Sequence, residues 1–231
     1  MGVRHARMPQ TPCYAMHDTD AMPLAISAET DNPAAAVRKR PKPGERRVQI
    51  LQALAAMLEQ PGAERVTTAA LAARLEVSEA ALYRHFASKA QMFEALIEFI
   101  EHSVFALVNQ ITADPVDATE SRRQALRILT VLLQFGEKNP GMTRVMVGDA
   151  LVFENERLQQ RMNLFLDKIE GSLRQCLRTG GDGISATPTV DAAVQASVMT
   201  AFAVGRLQRF ARSGFRRLPT EHLEASLQWL A

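Results

Sequence analysis

The sequence TTAALAARLEVSEAALYRHFASK, residues 67–89, predicts two short helices joined by a tight turn. Apolar residues spaced three and four apart mark the first helix, which Thr67 or Thr68 can cap. Ser78 can cap a second helix that extends roughly to His85. Only Leu75–Ser78 separates the two helices, so they must cross at a steep angle. This arrangement is typical of a helix-turn-helix, whose second helix enters the major groove of DNA.

The sequence on both sides of this stretch is also helical in pattern. An amphipathic stripe runs from Val48 to Leu58, and Ser88 with Gln91 forms a capping box that starts a long helix. No segment alternates apolar and polar residues long enough to form a strand, so the chain is predicted to be all-α. Four later helices are expected, with breaks at Asn139–Gly141, Gly180–Gly183 and Ser213–Gly214; they cover 117–138, 154–178, 189–212 and 220–230.

These elements divide the chain into three parts. Residues 1–44 contain six of the eleven prolines and no hydrophobic period, so they are predicted to form a disordered arm. The arm ends in a basic run from Arg38 to Arg47, which is either a solvated tail or a source of nonspecific DNA affinity. Residues 45–91 are the predicted three-helix DNA-binding domain, and residues 92–231 are a helical regulatory and dimerisation domain.

Composition limits the class of protein. Of the 231 residues, 47% are apolar and 23% are charged, which is typical of a soluble globular chain. Two cysteines are too few for a structural zinc site, and no apolar run approaches the roughly 20 residues that span a bilayer. A cytoplasmic protein with no metal, cofactor or membrane contact is therefore expected. The motifs of metalloproteases, P-loop NTPases and serine hydrolases are absent, which predicts that the protein is not an enzyme.

The candidate DNA contacts lie in and around the predicted recognition helix. Its first turn offers small residues, which let a helix sit deep in the groove and can contact a thymine methyl. Tyr83 and His85 can hydrogen-bond phosphates, and Lys89 lies where helix N–H groups favour an anion. The candidates are Thr67, Thr68, Ser78, Glu79, Ala80, Ala81, Tyr83, His85 and Lys89.

The stretch VSEAALYRHFASK, residues 77–89, resembles the signature of the TetR family of DNA-binding regulators. Later blocks resemble the nucleoid occlusion factors of that family: FGEKNPGMTR (135–144), FENERLQQRMN (153–163) and RFARSGF (209–215). The resemblance implies a TetR-like fold and a homodimer that binds palindromic sites on double-stranded DNA, where it can assemble further. It also implies a nucleoid-associated protein that, once bound to DNA, contacts the C-terminal tail of the division GTPase FtsZ and blocks ring assembly without a small-molecule inducer.

Two protein-binding surfaces follow from the resemblance. Residues 189–230 are expected to pair with a second copy, and the Ala, Ser and Gly residues of 192–205 would let the helices approach closely. The FtsZ-tail groove is expected where the fourth and fifth helices meet. Phe99 suits that position because it points about 120° away from the buried stripe of its helix. The groove residues that the resemblance implies are Phe99, Val131, Gln134, Lys138 and Asn139.

Two groove positions depart from the family's pattern. Gln134 stands where a Gly would allow closer backbone approach, and Leu107 stands where a basic residue would help to hold an acidic tail.

Two other functions fit parts of the same sequence. A TetR-type transcriptional repressor released by a small-molecule inducer would share the N-terminal domain, but would also have a large apolar cavity among the helices of 97–210. A basic scaffold whose tail binds DNA nonspecifically would keep its DNA affinity after loss of the helix-turn-helix.

Overall fold

In a computed structural model, the described residues (44–60, 66–113, 117–179 and 187–230) form helices joined by short connections. No strand occurs within these ranges, which confirms the all-α prediction. Of the predicted arm, only Gly44 belongs to the described residues. The helices are α1 (Glu45–Leu58), α2 (Thr68–Arg74), α3 (Glu79–Tyr83), α4 (Lys89–Ile111), α5 (Ala118–Lys138), α6 (Pro140–Met146), α7 (Glu156–Thr179), α8 (Pro188–Arg212) and α9 (Leu223–Gln228).

Side-chain caps set the start of both helices of the helix-turn-helix. The Thr67 hydroxyl accepts the Ala70 N–H at 3.2 Å at the start of α2. The Ser78 hydroxyl accepts the Ala81 N–H at 3.3 Å at the start of α3. Both caps were expected from the sequence, because capping depends on residues only a few positions apart.

The turn between α2 and α3 contains a left-handed residue, Glu76, with φ of +52°. A residue other than glycine adopts this conformation at a cost of about 1–2 kcal/mol.

Helix α3 ends at Tyr83 rather than near His85 as predicted. There the N–H groups of His85 and Phe86 both bond to the Leu82 carbonyl, at 2.9 and 3.1 Å, and the chain turns so that the Phe86 ring becomes buried.

The long helix α4 joins the predicted DNA-binding domain to the rest of the protein. The Ser88 hydroxyl accepts the Gln91 N–H at 3.2 Å, as in the predicted capping box. The Gln91 side chain, however, accepts the N–H of Ala87 at 2.8 Å instead of the N–H of Ser88. The stripe expected on α4 is buried except for Leu107, which is half-buried. The buried residues of α4 are Met92, Phe93, Leu96, Ile97, Ile100, Val104 and Val108.

The short helix α6 corrects the predicted break at Asn139–Gly141. Pro140 lies in its first turn, where the missing N–H of proline costs no intrahelical bond. Gly141 follows at the point where α6 packs against α1. A Cβ built on Gly141 would lie 2.0 Å from the carbonyl oxygen of Ala55, so only glycine fits there. This close approach holds α1 against α6.

The remaining helices begin close to the predicted positions. Asp117 is the N-cap of α5, and its carboxylate accepts the Glu120 N–H at 2.8 Å. Helix α7 starts at Glu156, two residues later than predicted, and α8 starts at Pro188, one residue earlier. Helix α9 is shorter than the predicted 220–230, because His222 before it is left-handed, with φ of +52°.

Within the described ranges, none of the helices is both long and apolar enough to cross a membrane. Nor do three or more His, Cys, Asp or Glu side chains in those ranges gather closely enough to hold a metal ion.

Candidate nucleic-acid and partner surfaces

The outer face of α3 has the shape expected of a recognition helix. Glu79, Ala80 and Tyr83 are exposed, and the Tyr83 ring keeps 45% of its surface. Leu82, on the opposite side, is buried, so that α3 is anchored to the domain while its outer face stays free. The short side chain of Ala80 leaves room for the helix to approach the edges of base pairs.

The starts of α2 and α3 lie side by side. The Thr68 hydroxyl donates a hydrogen bond of 2.6 Å to the Glu79 carboxylate, and thereby connects the first turns of the two helices. The hydroxyls of Thr67 and Ser78 are already used as helix caps. Thr67 and Ser78 are candidate DNA contacts that therefore also have a structural role as helix caps, and the sequence predicted that role.

Lys89 has a partner that sequence reasoning did not predict. Its ammonium pairs with the carboxylate of Glu154, which precedes α7, and lies 5.7 Å from the centre of the Phe93 ring. The Lys89 side chain is 24% exposed, so it still reaches the surface. A DNA phosphate at this position would compete with Glu154 or share Lys89 with it.

Two arginines near the recognition helix also escaped the sequence interpretation. Arg47, counted only as part of the basic run, donates to the His85 carbonyl at 2.5 Å, and its guanidinium lies 4.2 Å from the centre of the Phe86 ring. Arg84 is the exposed C-cap of α3, directly beside Tyr83. Because Arg84 lies between the candidate contacts Tyr83 and His85, the sequence alone could have identified it.

Helices α4 and α5 pack as antiparallel neighbours. The Gln124 side chain donates to the Ile111 carbonyl at 2.8 Å, which aligns the start of α5 with the end of α4. Phe99 lies twelve residues before Ile111, and Gly136 lies twelve residues after Gln124. Phe99 is therefore level with the last turns of α5, near Gly136. Phe99 is 42% exposed, as expected for a ring off the buried stripe.

The exposed side of α5 carries three of the predicted groove residues. Val131, Gln134 and Lys138 follow at spacings of three and four and so share one face of the helix. Val131 is half-buried, and the other two are exposed. Asn139 differs, since only 5% of it is exposed and its amide donates to the Phe135 carbonyl at 2.8 Å. Asn139 therefore shapes the end of α5 from below the surface.

Helix α8 presents a line of exposed small and apolar side chains. Val190, Val194 and Val198 keep 58%, 59% and 52% of their surface. Ala201 and Gly205 continue the same face, and a Cβ on Gly205 would meet no atom within 4 Å. Beyond α9, Trp229 is 91% exposed.

A cleft of about 1090 Å³ lies between α4 and α7. Its walls include Glu98, Glu101, Arg161 and Lys168, and both basic groups pair with Glu101 across the cleft. Cys176 also lines it, and burial raises the pKa of that thiol. Phe105, Ala106 and Val108 line the cleft as well, so its walls mix apolar with charged and polar groups.

Two known family profiles match this chain. A profile described as "Bacterial regulatory proteins, tetR family" matches residues 50–96. A second, SlmA-like profile described as "Tetracyclin repressor-like, C-terminal domain" matches residues 120–231.

Curated relatives share about half of their residues with this chain. The nucleoid occlusion factor SlmA of Idiomarina loihiensis is 52% identical over 184 residues, which are 80% of this chain and 91% of the relative. The protein of the same name from Alteromonas mediterranea is 47% identical over 190 residues, 82% of this chain and 95% of the relative. These names belong to TetR-type regulators rather than enzymes, which confirms the prediction that the chain is not an enzyme.

Solved structures of more distant regulators confirm the TetR-like fold. The fatty acid degradation regulator FadR from Bacillus halodurans aligns with a TM-score of 0.64 at 15% identity, over 83% of this chain and 96% of that chain. The ketosteroid transcriptional regulator KstR2 of Mycobacterium tuberculosis aligns with a TM-score of 0.59 at 18% identity, over 80% and 92%.

Proposed function

This chain belongs to the SlmA family of TetR-type nucleoid occlusion factors, and we propose that it binds palindromic chromosomal sites as a homodimer and, when bound to DNA, inhibits FtsZ ring assembly over the nucleoid. The observation that carries the proposal is the 52% identity to a nucleoid occlusion factor over 91% of that protein. On this proposal the protein is located in the cytoplasm, associates with the nucleoid and needs no cofactor.

The free outer face of α3 supports the DNA-binding half of the proposal. Ala80 and Ala81 would lie against the base edges, while Tyr83, Arg84 and Lys89 would bind the flanking phosphates. Phosphate contacts position a protein on DNA, and base contacts select the sequence. Larger side chains at Ala80 are therefore expected to change the preferred site, whereas loss of a cation should weaken binding to all sequences alike.

The exposed line on α8 supports the homodimer. Three valines that keep more than half of their surface form an apolar strip, and Gly205 at its end allows a second helix to come close. A two-fold dimer formed through this strip would place two recognition helices on the two halves of a palindrome. Trp229 would add an aromatic contact at the edge of the same interface.

The groove between α4 and α5 supports the FtsZ half. Phe99 offers an exposed ring on α4, and Val131 with Lys138 offers an apolar and a basic contact on α5. An extended tail with apolar and acidic groups matches this combination. Asn139 would act from beneath, by holding the last turn of α5 in shape.

Sedimentation of FtsZ polymers tests the whole proposal. Purified FtsZ and GTP would be mixed with this protein, with and without a palindromic duplex that the protein itself has selected from random DNA. We expect less FtsZ in the pellet only when the duplex is present. The double variant Phe99→Ala with Lys138→Glu should still shift the duplex but leave FtsZ in the pellet.

Two outcomes would contradict the proposal. If the parent protein binds a palindrome specifically and leaves FtsZ polymers unchanged, a transcriptional repressor becomes the better description. If DNA affinity survives removal of residues 66–89, the basic-scaffold reading replaces it.

A further inference from the structure

The α4 wall of the proposed groove has no permanent positive charge. Between Gln91 and Ile111, α4 carries three glutamates and one histidine but no lysine or arginine. Leu107, further along α4 from Phe99, is half-buried and apolar. Acidic groups on a bound tail must therefore find their positive partners on α5.

Arg127 is the basic residue of α5 that best fits this requirement. It lies four residues before Val131, so that Arg127, Val131, Gln134 and Lys138 form one continuous face at spacings of four, three and four. Its side chain is 54% exposed. Counted from the bond between Gln124 and Ile111, Arg127 also comes level with Leu107 and Val108 on α4. The positive charge that α4 lacks at this level is thus present on α5.

The ion pair of Arg127 can be exchanged at little cost. Arg127 pairs with Glu120, and Glu120 also accepts a hydrogen bond of 3.3 Å from Arg123. One carboxylate therefore serves two arginines, and Glu120 keeps a partner when Arg127 turns to another anion. Exposed ion pairs of this kind contribute only about 0–1 kcal/mol.

From this arrangement we propose that Arg127 is a further contact for the FtsZ tail and, together with Lys138, sets the spacing of the acidic groups that the groove accepts. The inference rests on the proposed function. Eleven residues of helix separate the two cations, or about 16 Å at 1.5 Å per residue. An extended chain covers that distance in about five residues. We therefore expect two acidic residues of the tail, about five positions apart, to pair with Arg127 and Lys138. The apolar residues between them would contact Val131 and Phe99.

Anisotropy of a fluorescent peptide of the FtsZ C-terminal tail tests the contact, with the full-length protein bound to its palindromic duplex. Arg127→Gln should weaken peptide binding about fivefold, as expected for loss of one exposed charge pair, and Arg127→Glu should weaken it further. Arg122→Glu is the matched control, because Arg122 is exposed on the same helix but points about 180° away from Val131. That variant should bind within about twofold of the parent.

A charge exchange separates a direct contact from a general effect. A peptide in which one acidic residue is replaced by Lys should bind Arg127→Glu better than it binds the parent. Equal peptide affinity of Arg127→Glu and the parent would overturn the Arg127 contact and leave the proposed function standing. Equal losses in Arg127→Glu and Arg122→Glu would also overturn it, since only the overall charge would then matter. A parent protein that binds no tail peptide would remove the proposed function together with this contact.

Discussion

Gly141→Ala should destabilise the protein more than the same substitution at the helical glycines Gly136 and Gly171. The added Cβ would lie 2.0 Å from the Ala55 carbonyl oxygen and 2.9 Å from the Ala55 carbonyl carbon. Carbon and oxygen normally approach no closer than about 3.3 Å, so one helix would have to move by about 1 Å. Because the obstructing atoms are backbone, no rotamer change can relieve the clash.

The size of the effect follows from this geometry. Overpacking costs about 1–3 kcal/mol, and a clash with backbone belongs at the upper end of that range. For a domain of this size each kcal/mol lowers Tm by about 2–4 °C, so a decrease of roughly 6–12 °C is expected. Thermal unfolding followed by far-UV circular dichroism measures it.

The two other glycines calibrate the measurement. A Cβ on Gly171 in α7 meets no atom within 4 Å, so Gly171→Ala should gain about 0.5–1 kcal/mol from helix propensity. A Cβ on Gly136 would lie 2.4 Å from a methyl of Leu207, which can rotate, so Gly136→Ala should cost about 1–2 kcal/mol. If Gly141→Ala melts at the same temperature as Gly171→Ala, the close packing of α6 on α1 is wrong.

Three further predictions concern the surfaces and the carboxyl of Glu59. Val194→Asp combined with Val198→Asp should convert a dimer into a monomer of native helicity, and light scattering that still shows a dimer would exclude the α8 face. Lys89→Ala should reduce the number of counterions released on DNA binding by about one, measured as the slope of log K against log salt concentration. Glu154→Gln frees Lys89 from its ion pair and should strengthen DNA binding. An unchanged slope in Lys89→Ala would show that Lys89 does not contact DNA. Partial desolvation raises the pKa of Glu59 above its ordinary 4.5, so ionisation of this carboxyl costs stability as the pH rises through that range. The free energy of unfolding of Glu59→Gln should therefore be larger than that of the parent at neutral pH and equal to it below pH 4.5. A difference between the two free energies that does not change with pH would contradict this.

Local features of the fold were predictable from the sequence, and tertiary contacts were not. Thr67 and Ser78 cap their helices as predicted, because a cap involves residues two or three positions away. Helix α6 was missed because Pro140 and Gly141 were interpreted as helix breakers. Proline also starts helices, and Gly141 is required by Ala55, which lies far away in the sequence.

The candidate surfaces divide in the same way. The exposure of Phe99 followed from its angle on α4, and the shared face of Val131, Gln134 and Lys138 followed from their spacing. The pairing of Lys89 with Glu154, 65 residues later, could not be read from either position alone. The same applies to the burial of Asn139, which does not follow from its position at the end of α5.

A single helix connects the two proposed binding activities. Helix α4 begins at Lys89, beside the recognition helix, and carries Phe99 ten residues later, about 15 Å along its axis. The first turn of α4 is bound to the segment before α7 through Glu154, and α1 is packed against α6 through Gly141. Displacement of Lys89 from Glu154 by a DNA phosphate would therefore act at one end of the same rigid element whose middle forms the groove. On the proposed function, this contact would be a physical route by which DNA at α3 influences a partner at α4 and α5. Each ligand can shift the position of α4 only through contacts that differ between the two states.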